Sequence, residues 1–99
     1  MSTEELVTRL RGEVEEGEWS WLAPHHARGA VIVVAQELDL AEVAAAVAND
    51  VLEKIRPWLE QKQVAKPDDE QAEAWNAAPS QKFRFLIIQP YVLVQLIGN

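Results

Sequence analysis

Ninety-nine residues suffice for one domain with one modest core. An apolar share of 48% with four tryptophans excludes a disordered chain, and the absence of cysteine excludes disulfides, thiolate catalysis and cysteine-based zinc sites. The net charge of −7 is spread along the chain with no basic segment, so the footprint of a phosphate-neutralising surface is missing.

The acidic, amphipathic start has neither the basic region nor the apolar run of a secretion signal. The greasiest stretch, 85–97, is interrupted by Gln89, Pro90 and Gln95 and falls short of the about 20 residues that span a bilayer. A soluble, cytoplasmic chain with no membrane partner is expected.

Ser2 and Glu5 are spaced as a capping box. Leu6, Leu10 and Val14 then repeat on one helical face, in a helix that Gly12 weakens and Gly17 would close. Ser20 is placed to cap a short helix ended by Gly29, with Pro24 near its first turn. The apolar, largely β-branched run at 30–34 predicts a strand buried on both faces.

Two further capping boxes, Asp39/Glu42 and Asp50/Glu53, open consecutive amphipathic helices. Leu40, Val43, Ala44, Val47 and Ala48 mark the first; Val51, Ile55, Trp58 and Leu59 mark the second, with Trp58 assigned to the core. The spacing predicts a helix-turn-helix core over 38–67 rather than one rod. Pro57 removes the N–H that would reach the Glu53 carbonyl and should kink the second helix. A short strand at 63–66, a helix over 68–77 and a loop at 78–81 follow. Phe83, Phe85 and Ile87 then alternate along a strand over 82–89, Pro90 confines the junction to an edge or a bend, and 91–97 continues as a strand. The order matches a winged-helix plan, with 67–81 as an enlarged wing. The expected fold class is α+β, winged-helix-like, with helices on a small sheet of about three strands in a single domain over 1–99.

The strings EWSWLAPH (18–25), ELDLAEVAAAVAND (37–50), AWNAAPSQKF (74–83) and LIIQPYVLVQ (86–95), with Trp58, Lys66 and Pro67 between them, resemble a family of small uncharacterised bacterial proteins, domain of unknown function 2288, found in proteobacteria and cyanobacteria. The similarity covers nearly the whole chain. It implies a soluble bacterial protein of about this length and supplies no chemistry.

The helix-turn-helix shape suggests regulation, but its second helix interleaves Lys54, Arg56 and Lys62 with Glu53 and Glu60. A DNA-reading helix needs donors aimed at base edges within a basic surround. No duplex DNA binding is therefore expected, and a protein-interaction or regulatory module with a protein partner is the leading reading; a nucleic-acid-binding transcriptional regulator is the alternative. His25 and His26 are neighbours, which diverge on a helix, and no HExxH partner exists, so no metal site is expected. Trp19 and Trp21 would diverge by about 200° on a helix, one entering the core and one left free. Together with His25, Arg28 and Tyr91 they form the candidate binding surface. A small-molecule site lined by Trp19, Trp21, His25 and Arg28, with the guanidinium clamping an anion, is a further alternative. The carboxylate pairs Glu15/Glu16 and Asp68/Asp69 lie in polar runs, and no nucleophile–base set or Gly-rich phosphate loop is present; neither catalysis nor a cofactor is expected. The segment 91–97 holds Val92, Leu93, Val94, Leu96 and Ile97, more apolar surface than an edge strand buries, and predicts a homodimer through an open edge.

Overall fold

The computed structural model describes residues 3–97. Elements follow in the order α1 (Thr3–Arg11), β1 (Glu15–Glu18), α2 (Trp19–Ala27), β2 (Val31–Val34), α3 (Leu40–Ala48), α4 (Leu52–Glu60), β3 (Val64–Ala65), α5 (Asp69–Ala77), β4 (Lys82–Ile88) and β5 (Tyr91–Leu96). The class is α+β, but the sheet has five strands where about three were expected, in the order β1-β4-β5-β2-β3. All pairings are antiparallel except β2 with β5, which run parallel.

Helices cover both sheet faces. On one, Leu10 of α1 and Leu40, Val43 and Ala44 of α3 pack on Val34, Val64, Leu86 and Leu93, with Trp58 of α4 at the rim. On the other, Trp19 and Leu22 of α2 pack on Val31, Phe83, Val92 and Val94, joined by Trp75 of α5. Alternate residues of β2 thus enter different clusters, as its unbroken apolar run requires.

The winged-helix plan does not describe this arrangement. The strand after α4 is two residues long and pairs with β2 at a sheet edge, while α5 forms where a helix was expected at 68–77. Asp68 caps α5 in a reciprocal box: its side chain accepts from the Gln71 N–H at 2.8 Å and the Gln71 side chain accepts from the Asp68 N–H at 3.1 Å. The β4–β5 hairpin, joined through a cis Gln89–Pro90 peptide, lies inside the sheet instead of projecting. The expectation of an open edge at 91–97 is overturned with it, because β5 is the middle strand and Val92, Leu93 and Val94 are buried.

Three helices end on one device, a left-handed residue after the C-cap with crossed backbone bonds. Gly29 (φ 74°) donates to His26 O at 2.8 Å and Ala30 to His25 O at 2.9 Å after α2. Asp50 (φ 57°) donates to Val47 O at 3.2 Å and Val51 to Ala46 O at 2.9 Å after α3. Lys62 (φ 59°) and Gln63 repeat the pattern on Leu59 O and Trp58 O after α4. The helices at 39–63 are therefore separate, yet the expected box at Asp50 and Glu53 is not what separates them. Asp50 terminates α3, and the N-cap of α4 is Val51, which makes no side-chain capping bond.

Other expectations are corrected similarly. The proposed Ser2/Glu5 box falls on Ser2, outside the described residues. The first helix stops at Arg11, with Gly12 donating to Thr8 O and Arg9 O, and Gly17 lies in β1 opposite Phe83 rather than at a helix end. Asp39 does cap α3, accepting from the Ala41 N–H at 2.9 Å and the Glu42 N–H at 3.4 Å. Trp58 is only half-buried and Leu59 is exposed, so the inward face of α4 is shallower than its periodicity suggested.

Candidate functional site

Helix α2 presents the candidate surface. Ser20 does not cap it; the helix begins at Trp19, and its first N–H groups are taken by the chain before β4, Trp19 N–H donating to Gln81 O at 2.9 Å and Ser20 N–H to Pro79 O at 3.0 Å. This docking fixes which way the helix faces. Trp19 points inward, 1% exposed, with its ring centroid 5.1 Å from Trp75 and 5.7 Å from Phe83. Its indole N–H donates to Asn76 Oδ1 at 2.7 Å, satisfying the polar atom that burial would otherwise penalise.

Trp21, about 200° further round the helix, is 61% exposed. Its ring is nonetheless braced. A Cβ atom on Gly17 would lie 2.7 Å from Trp21 Cε3 and 2.9 Å from Phe85 Cε1, so the missing side chain in β1 lets two aromatic rings close over the strand. Phe85 and Ile87 share a face of β4, and Ile87 is 53% exposed. β1 pairs with β4 only as far as Glu15 opposite Phe85, which leaves the Ile87 end without a strand outside it. Trp21, Phe85 and Ile87 form an apolar shelf of the kind that marks interaction sites.

His25 and Arg28 follow Trp21 at i+4 and i+7 and continue its stripe. Arg28 Nη2 lies 2.7 Å from His25 Nδ1, within hydrogen-bond distance. Lys66 reaches the same end of the helix: its Nζ lies 3.7 Å from where a Gly29 Cβ would stand. Among the described residues neither Arg28 nor Lys66 has an acidic partner.

Of the five residues expected at the surface, the structure brings Trp21, His25 and Arg28 together. Trp19 is enclosed. Tyr91 pairs with Ile88, whose side chain belongs to the opposite sheet face, and stands apart. Sequence reading missed Gly17, Phe85 and Ile87. The alternation Phe83, Phe85, Ile87 was visible, but nothing in it showed that β1 stops short of Ile87.

On the other sheet face, Arg11 Nη2 donates to Asp39 Oδ2 at 2.6 Å, tying the end of α1 to the start of α3. Burial alone would raise the Asp39 carboxyl; the Arg11 hydrogen bond, the Glu42 and Ala41 N–H groups and the Arg11 charge outweigh it and hold the group below its ordinary value. Among the described residues no three His, Cys, Asp or Glu side chains gather as metal ligands. Among the described residues no helix is long and apolar enough to cross a membrane.

A solution structure of PA1075 from Pseudomonas aeruginosa is similar over 96% of this chain and 87% of that one, with 32% identity and a TM-score of 0.81. No curated protein matches the chain. The family model described as a protein of unknown function (DUF2288) matches residues 5–96, and the chain belongs to that family.

Proposed function

We propose that this protein is a non-enzymatic interaction module that docks a protein partner on the α2–β4 face, and that the partner presents an apolar anchor beside a carboxylate. The carrying observation is Trp21: a large, exposed aromatic side chain that lies over Gly17 beside Phe85. A braced tryptophan loses little conformational freedom on binding, and tryptophan is the commonest hot-spot residue. Arg28 and Lys66 put at the end of this shelf two cations with no acidic partner among the described residues, on a protein whose net charge is −7. That local inversion of sign favours an acidic neighbour on the partner.

The rival readings have less support. An enclosed Trp19 cannot line a small-molecule site with Trp21, His25 and Arg28. For duplex DNA, Glu53 and Glu60 are exposed on α4 beside Lys54 and Arg56, where they would oppose phosphate contacts. A cytoplasmic setting fits the lack of cysteine.

The test is quantitative affinity purification from the native bacterium with wild-type, Trp21→Ala and Arg28→Glu baits of equal fold. A partner retained by the wild type and lost with both variants supports the proposal. Equal recovery on all three, or recovery only of nucleic acid, contradicts it. Self-capture abolished by both variants would make the partner a second copy and overturn the choice of a different protein.

A further inference from the structure

The sheet face opposite Trp21 carries a polar cleft between the end of α1, the β2–α3 connection and strands β4 and β5. It is an open cleft of about 510 Å³ and adjoins a hollow of about 290 Å³. Arg84, Gln95 and Gln36 line both. Helices α1 and α3 cover this face over Leu86 and Leu93, while Arg84 and Gln95, directly opposite each other on β4 and β5, lie beyond that cover.

The amide groups here are oriented by bonds to the backbone. Gln95 is only 6% exposed; its Nε2 donates to Ala35 O at 2.9 Å and Leu38 O at 2.7 Å. Both N–H bonds are thereby used, and Oε1 remains as an acceptor. Gln36 Nε2 donates to Leu96 O at 2.8 Å, again leaving its Oε1. Four charged side chains line this space, and the two outside the Arg11–Asp39 pair, Arg84 and Glu37, are of opposite sign. Arg84 makes no hydrogen bond or ion pair among the described residues, although Glu16 stands opposite it on β1. Glu37 lines the same cleft, and hydrogen bonds from the backbone and from the Gln63 amide hold its carboxyl below the ordinary value, so it is charged at neutral pH. Arg11 and Asp39 also line the cleft but neutralise each other.

We infer that this cleft is a binding site for a small zwitterion, an α-amino acid, whose carboxylate pairs with Arg84 and whose ammonium is received by Glu37 and the Gln36 and Gln95 amide oxygens. A simple anion would meet Glu37 with like charge, and a simple amine would meet Arg84. A ligand carrying both signs complements both groups, and the guanidinium fork suits a carboxylate. Leu38, Leu40 and Val14 along the wall suit an aliphatic side chain. The site lies on the sheet face away from the proposed docking shelf, so either proposal can fail without the other.

The experiment is an NMR titration of the isotope-labelled full chain with L-leucine, 4-methylpentanoate and 3-methylbutylamine, the last two each lacking one charged group. Leucine should shift the amides of 36–38, 84 and 95, including the Gln95 side-chain amide. The two analogues should bind about tenfold or more weakly, as should leucine to Arg84→Gln and to Glu37→Gln, each substitution removing a charge-assisted bond. Both substituted side chains are exposed, and each variant's spectrum reports its fold directly. The inference is overturned if leucine causes no shift at 10 mM, roughly tenfold above a millimolar constant, if its shifts lie elsewhere, or if 4-methylpentanoate binds as well as leucine.

Discussion

Gly17 and Trp21 are coupled through space that only one of them can fill: a Cβ on Gly17 would stand 2.7 Å from the indole ring. The glycine in an acidic edge strand and the exposed tryptophan on the next helix are therefore one structural unit. Gly17→Ala should destabilise the protein by about 1–3 kcal/mol through overpacking, measured by urea unfolding. In a Trp21→Ala background the same substitution should cost less, with Phe85 the remaining obstacle. Purely additive effects would show that the ring moves aside freely.

Asp50 occupies a left-handed position, so its role is opposite to that of an N-cap. Asp50→Gly should stabilise the protein by up to about 1 kcal/mol, because glycine enters that region without the Cβ penalty. Asp50→Ser, which would preserve an N-cap, should destabilise it. Thermal unfolding of the two variants separates the roles, since a capping Asp50 would tolerate serine better than glycine.

Asp39 gives the fold an acid-sensitive contact. Its folded pKa is depressed, so the unfolded chain binds more protons as the pH falls. The contribution is complete above the unfolded value near 3.9, and is lost as the pH drops through the lower folded value. Arg11→Met should flatten the decline in stability between about pH 5 and pH 2, as followed by urea titration at several pH values. An unchanged profile would mean that the 2.6 Å bond to Arg11 does not set the shift.

The tryptophans should rank by enclosure. Trp19→Ala is expected to cost about 3–5 kcal/mol, because it removes the centre of the aromatic cluster. Trp58→Ala, at a half-buried rim position, should cost no more than about half of that. Equal losses would show that α4 is packed more deeply than the structure indicates.

The legible parts of this fold are those where local chemistry and tertiary structure agree. The 30–34 run is a doubly buried strand, Asp39 caps α3, and the angle between Trp19 and Trp21 separates a core ring from an exposed one. The illegible parts depend on partners distant in sequence. β1 reads EEGE, which has no strand propensity, and is a strand only because β4 pairs with it; its charges suit a sheet edge. β5 looked like an uncovered edge because the sequence does not say that β2 flanks it in parallel. Asp50 and Glu53 had the spacing of a capping box, and only the backbone angle at Asp50 assigns it to the preceding helix. Of the candidate surface, the helical stripe of Trp21, His25 and Arg28 was accessible to periodicity, whereas Phe85 and Ile87 joined it through the sheet.

Hydroxyl-radical footprinting of the purified complex tests the docking shelf most directly. Trp21 and Ile87, both exposed in the free chain, should be oxidised readily alone and protected together once the partner is bound, while Leu52 and Leu59 on α4 remain reactive. Protection of Leu52 and Leu59 with Trp21 still reactive would contradict the account and move the interface to the helix-turn-helix.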